Sequence, residues 1–168
     1  LRTLGCDRTP FFLASVHRPV NTNDPDRLAA LLDCLDHLPH PVLLPLHPRT
    51  AARIDAFGLP APSGNLRLID PLSHGETLAL VRRSERVLTD SGGLTREAYF
   101  CSVPSVCLDD ATAWHALGRS GWCALTGAEP AAIRAALSQP IPSQHDPTLF
   151  GDGNAAGRIR RVLLEYFD

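Results

Sequence analysis

The sequence has no methionine, not even an initiator, and it opens abruptly at Leu1. Such a chain reads as a piece of a longer protein. It has no lysine either. All 16 basic residues are arginine, which beside plentiful Ala, Leu and Pro reads as a compositional bias of the source. No strong charge of either sign is present: a formal net charge of −2 gives no electrostatic footprint for nucleic acid. There is no apolar run of membrane-spanning length and no signal peptide, so no membrane partner is expected and a cytoplasmic location is. The five cysteines (Cys6, Cys34, Cys101, Cys107, Cys123) are odd in number and lack C-x-x-C spacing, which fits reduced thiols filling a core. The seven histidines contain no i, i+4 pair. "HLPH" at 37–40 is interrupted by proline and reads as a loop, so no metal site is expected.

What is present is an ordinary globular composition, 44% hydrophobic and 20% charged over 168 residues. That is enough for one domain, 1–168, with a real core. Short apolar runs alternate with amphipathic stretches. "FFLASV" (11–16), "PVLLPL" (41–46), "NLRLI" (65–69), "RVLT" (86–89), "PSVCL" (104–108) and "WCAL" (122–125) read as strands. The helices read as 24–38, 50–57, 74–84, 94–102, 130–138 and 153–167. Asp24 can cap the first, Pro25 suits its first position, and Leu28, Leu31, Leu32 and Leu35 form its apolar stripe. Gly58 closes the second. Residues 139–148 are Pro-, Ser- and Asp-rich and read as a loop. Strands without internal alternation, separated by helices, predict an α/β fold: a Rossmann-like parallel sheet with helices on both faces.

In such sheets ligands bind beyond the carboxyl ends of the strands. The distinctive loops here follow strands: "HRPVN", "HPR", "DPLSH" and "DSGG". Ser91-Gly92-Gly93 leads from a strand into a helix. A helix N-terminus exposes free N–H groups and partial positive charge. Glycines let a phosphate come close to that backbone and let the turn take positive φ. Glu97 lies about 6 Å further along the axis, within reach of the hydroxyls of an attached ribose. A bare S-G-G also suits an ordinary tight turn, with Glu97 a favourable N-terminal charge, and the segment matches neither G-x-G-x-x-G nor a Walker loop. His17 and Arg18, just past the first strand, can meet a diphosphate, and His17 can move protons near neutral pH. The same His can instead pack in a capping loop. His47 and Arg49 can add positive charge, although "HPR" alone reads as structural. Asp109-Asp110 reads as a solvated turn. The residues by themselves thus indicate a nucleotide-diphosphate-binding α/β domain, without naming a reaction.

The combination "SVHRPVNTNDP", "LPLHPRT", "NLRLIDPLSH", "VLTDSGGLTREAYFCSVPSVCL" and "GDGNAAGRI", in that order, resembles the carboxyl-terminal half of the non-hydrolysing UDP-N-acetylglucosamine 2-epimerases. The resemblance runs from about residue 10 to the end. It implies a two-domain architecture of the glycosyltransferase-B type, with a UDP-sugar between two Rossmann-like domains. It assigns His17 to the catalytic cleft beside the diphosphate, Arg18 with it to the UDP site, Ser91, Gly92 and Gly93 to the phosphates, and Glu97 to the ribose hydroxyls. It implies interconversion of UDP-GlcNAc and UDP-ManNAc by elimination and re-addition of UDP, with no metal or other cofactor. The implied partners are the missing amino-terminal domain, which carries acids for proton transfer at C2, and a homodimer of the full-length protein.

The sequence also departs from the family pattern. The Glu of H-R-x-E-N is Val20, and the residues before the ribose carboxylate are Thr95-Arg96. The R-D-x-T-E-R-P-E stretch reads Asp109-Asp110-Ala111-Thr112-Ala113-Trp114-His115-Ala116, and a usual aromatic is Thr77. These departures leave two alternatives: a glycosyltransferase of the same architecture acting on a specialised sugar nucleotide, or a non-catalytic nucleotide-binding domain.

Overall fold

The computed structural model describes Cys6 and residues 9–167. Six strands, β1 (Phe12–Ser15), β2 (Val42–Pro45), β3 (Leu66–Ile69), β4 (Arg86–Thr89), β5 (Ser105–Cys107) and β6 (Cys123–Leu125), form one parallel sheet in the order β3-β2-β1-β4-β5-β6. The helices are α1 (Pro19–Thr22), α2 (Pro25–Asp36), α3 (Pro48–Phe57), α4 (His74–Val81), α5 (Gly92–Phe100), α6 (His115–Arg119), α7 (Pro130–Leu137) and α8 (Ala155–Phe167). The parallel sheet predicted from the alternating pattern is the sheet observed. Two helices were not legible: α1 overlaps the end of "HRPVN", and α6 follows the Asp109-Asp110 loop.

The four inner strands β1, β2, β4 and β5 are buried on both faces, which is why they lack alternating polarity. Phe12, Ala14 and Val16 point into one core with Leu28, Leu31 and Leu35 of α2 and Ile133 of α7. Their neighbours Phe11 and Leu13 point into the other, with Val81 of α4 and Leu94 and Ala98 of α5. A third cluster gathers Tyr99, Cys107, Leu117, Trp122 and Cys123.

Local chemistry sets the helix ends. Asp24 accepts from the amides of Asp26 and Arg27, and Pro25 occupies the first turn of α2; such a cap contributes about 1 kcal/mol. The His47 ring accepts from Arg49 N–H at the start of α3, and Gly58 closes that helix at φ 61°. Ser73 and Glu76 form a reciprocal capping box at α4. The carboxylate of Asp36, at the end of α2, accepts from the amides of Ser63, Gly64 and Leu66 at 2.9–3.0 Å. It thereby ties α2 to the entry of β3.

The sheet order reverses between β1, whose other neighbour is β2, and β4, whose other neighbour is β5. The loops leaving these two strands diverge and open a crevice. They are the His17 loop and the Ser91 loop. Helix α8 has no buried residue and displays Ile159, Val162, Leu163, Tyr166 and Phe167 along one side. Among the described residues no helix is long and apolar enough to cross a membrane.

Candidate functional site

Asp90, directly after β4, organises the crevice. Its side chain is fully buried, so its charge must be met by donors. His17 N–H donates to both carboxylate oxygens at 3.1 and 2.9 Å, and Arg18 N–H donates at 2.8 Å. Asn21 Nδ2 donates at 3.1 Å to Asp90 and at 2.8 Å to the Leu108 carbonyl. The loop after β1 is thus pinned to the end of β4, and α1 follows from that constraint. His17 Nδ1 lies 3.2 Å from Asp90 Oδ1. The same nitrogen lies 3.4 Å from Ser15 Oγ. The ring stacks on His47, 5.1 Å between centroids, and Thr50 of α3 donates its hydroxyl to the Val16 carbonyl beneath it.

Across the crevice, Ser91 caps α5, its hydroxyl accepting from Leu94 N–H at 3.4 Å. Gly92 and Gly93 are the first residues of the helix itself, and neither has positive φ. The expected reason for glycine is corrected here. At Gly92 the demand is space: a Cβ would sit 2.9 Å from Trp114 Nε1. At Gly93 the nearest atom to such a Cβ is Ser91 Oγ at 3.7 Å, an ordinary contact.

The Asp109-Asp110 turn is not simply solvated. Asp109 is buried and accepts from Arg18 Nη1 at 2.7 Å, while Asp110 accepts from Arg27 Nη2 at 2.6 Å. Arg27 Nε also donates to Asn21 Oδ1 at 2.9 Å. These pairs fasten the loop after β5 to α1 and α2. Trp114, at the end of that loop, lies with its ring 4.2 Å from the Arg96 guanidinium carbon and edge-on to Phe150.

The result is a cavity of about 610 Å³ lined by His17, Arg18, Asp90, Ser91, Gly92, Gly93, Cys107, Asp109, Ala111, Thr112, Ala113 and Trp114. Five of the six site residues expected from sequence line it together. Glu97 does not; it lies in the middle of α5, and its Oε1 is 2.9 Å from His74 Nε2, joining α5 to the start of α4. Sequence reasoning missed Asp90 and Trp114. An Asp before S-G-G carries no local sign of binding amides 73 residues away. Trp114 stands out only as a departure from the family pattern. Inside the cavity, a hydrogen bond from the Cys123 thiol, outweighing burial, lowers the Cys107 thiol to about 7. The same contact, with burial, pushes Cys123 up. A second hollow, about 480 Å³, lies at the other end of the strands between α2, α3 and Leu59–Ser63. It holds none of the expected site residues.

The family profile described as UDP-N-acetylglucosamine 2-epimerase matches residues 2–164. The chain is 40% identical over 162 residues to the UDP-2,3-diacetamido-2,3-dideoxy-D-glucuronate 2-epimerase of Pseudomonas aeruginosa, covering 92% of this chain and 44% of that protein. It is 32% identical over 167 residues to a UDP-N-acetylglucosamine 2-epimerase homolog of Methanococcus maripaludis, covering 97% and 47%. Among solved structures, UDP-GlcNAc 2-epimerase from Methanocaldococcus jannaschii superposes with a TM-score of 0.79 at 27% identity, over 93% of this chain and 46% of that one. The complex of that organism's enzyme with UDP-GlcNAc and UDP superposes with a TM-score of 0.77 at 26% identity, over 98% and 48%. The chain spans about half the length of the curated relatives it matches. The sheet, the crevice and the match over residues 2–164 agree: the chain belongs to the UDP-N-acetylglucosamine 2-epimerase family.

Proposed function

We propose that this chain is the UDP-binding half of an isomerase that inverts C2 of a UDP-2-acetamido sugar. One observation carries the reading. In a chain of this family, the free N-terminus of α5 faces His17 and Arg18 across a cavity at the β1/β4 switch point. Among the described residues the N–H groups of Gly92 and Gly93 have no acceptor. They suit phosphate oxygens. Arg18 supplies charge from the opposite wall, and Glu97, further along α5, acts as the ribose acceptor.

The chemistry is redox-neutral. A base removes the proton from C2, the C–H electron pair forms the C1=C2 bond, and the C1–O bond breaks to release UDP. Re-addition of the UDP oxygen to C1, with protonation of C2 from the other face, gives the epimer. Negative charge grows on the departing β-phosphate. Fixed donors aimed at developing charge lower that barrier; here they are the α5 amides, Ser91, Arg18 and His17. His17 is the catalytic candidate of this half, because it lines the cavity and its backbone is pinned by Asp90.

The acids that exchange the C2 proton belong to a second domain facing the strand ends. Both carboxylates in this cavity are already engaged, Asp90 by His17, Arg18 and Asn21, and Asp109 by Arg18. The full-length enzyme is read as a cytoplasmic homodimer. A diacetamido uronate is the second reading of the sugar, favoured by the 40% identity to the Pseudomonas aeruginosa enzyme.

The test is solvent exchange. The chain is reconstituted with an amino-terminal half and incubated in D2O with UDP-GlcNAc or UDP-2,3-diacetamido-2,3-dideoxy-glucuronate. Loss of the C2 proton signal in NMR is expected with at least one of them. No exchange with either would overturn the reading.

A further inference from the structure

We infer that Trp114 is a phosphate-binding residue, its indole Nε1–H donating to the diphosphate beside the amides at the start of α5. The inference rests on the UDP-binding reading above and adds to it a ligand contact from the loop after β5.

Three observations place the indole there. First, Trp114 Nε1 is the atom nearest the position a Gly92 Cβ would take, at 2.9 Å. The indole N–H therefore lies beside the first free amides of the helix. Second, that nitrogen has no hydrogen-bond partner among the described residues, yet it is not sealed from the cavity that Trp114 lines. Trp122 makes the contrast. Its Nε1 donates to the Gln144 carbonyl at 2.7 Å, as the indole of a buried Trp usually does. Third, the Trp114 ring is held. Arg96 covers one face at 4.2 Å, Phe150 abuts the edge at 5.7 Å, and the backbone N–H donates to Thr112 Oγ1 at 3.1 Å.

An indole N–H only donates. At a helix N-terminus, where the field favours anions, its complement is an anionic oxygen. The guanidinium of Arg96 strengthens that preference, placing a full positive charge behind the ring. Cation–π attraction keeps the plate in position. This arrangement also explains why residue 92 must be glycine. A side chain there would occupy the space in which the indole and the helix amides converge.

The experiment uses the two indole N–H resonances of the 15N-labelled chain, assigned with a Trp122→Phe variant. Titration with UDP, or with inorganic pyrophosphate, is expected to shift the Trp114 indole together with the Gly92 and Gly93 amides. Uridine should leave it in place, and the Trp122 indole should stay put throughout. Trp114→Phe keeps a ring for Arg96 and Phe150 but removes the donor. It is expected to weaken UDP binding about tenfold, as loss of a hydrogen bond to a charged group does, with the other amide resonances of the fold unchanged. If the glycine amides shift and the Trp114 indole does not, or if uridine shifts it as much as UDP, the inference is overturned while the UDP reading stands. If neither amides nor indole respond to UDP, the UDP reading fails and this inference falls with it. Should Trp114→Phe fail to fold, the titration of the unmutated chain decides alone.

Discussion

Asp90 holds the backbone of His17. The carboxylate at the end of β4 accepts the His17 amide at 2.9 Å and approaches the ring Nδ1 at 3.2 Å, joining two loops 73 residues apart. The candidate catalytic residue therefore owes its place to a carboxylate at the end of a different strand that lines the same cavity.

Asp90→Ala should uncouple the two loops. It strands the amides of His17 and Arg18 and the Asn21 side chain. Buried donors without acceptors cost 1–3 kcal/mol each, so a loss of about 3 kcal/mol is expected. Urea unfolding measures it. A change below about 1 kcal/mol would mean that the carboxylate is not the anchor.

Gly92→Ala and Gly93→Ala should differ. The first places a Cβ 2.9 Å from the clamped Trp114 indole, the second 3.7 Å from Ser91 Oγ. UDP affinity is expected to fall about tenfold or more for Gly92→Ala and to change little for Gly93→Ala. Both chains should stay folded, since alanine suits a helix better than glycine. Calorimetry and thermal melts on the pair check this, and equal affinities would contradict it.

Glu97→Ala separates a ribose acceptor from a surface ion pair. Its partner His74 is 70% exposed, so losing the pair should cost less than about 1 kcal/mol of stability. UDP binding should nonetheless weaken about tenfold. An analogue lacking the ribose hydroxyls should bind the variant and the unmutated chain equally well. If the variant loses the same factor with that analogue, Glu97 does not read the ribose.

Asp36→Asn tests the clamp at the entry of β3. Burial alone would raise the Asp36 carboxyl, but the amides of Ser63, Leu66 and Gly64 outweigh it and hold the group below its ordinary value. The folded state therefore binds this proton less readily than the unfolded state. The stabilisation is fully present above about pH 4, the ordinary aspartate range, and is lost as pH falls through the lower folded value. The stability gap between the unmutated chain and Asp36→Asn should accordingly shrink on acidification below pH 4. A gap independent of pH would show that the charge is not what the amides hold.

The sheet was legible because its signals are local. Leu28, Leu31 and Leu35 repeat at helical spacing, Asp24-Pro25 and Gly58 mark helix ends, and short runs such as "FFLASV" are apolar enough to be buried on both faces. The order of these elements required strands whose carboxyl ends share one side, and so His17, Arg18 and Ser91-Gly92-Gly93 could be expected at one crevice. The helix α1 was not legible, because it is only four residues long and is anchored through Asn21 to Asp90 and Leu108, both distant in sequence.

The sequence by itself determined the layered sheet, its caps and the helix N-terminus that can meet a phosphate, since periodicity and capping act over a few residues. Only the tertiary structure decided what completes the site. Arg18 meets Asp109 across 91 residues, Glu97 meets His74 across 23, and the Trp114 ring lies against Gly92 under the Arg96 charge. These contacts depend on the register of parallel strands and on buried charges finding donors. Neither condition leaves a mark in any short stretch of the chain.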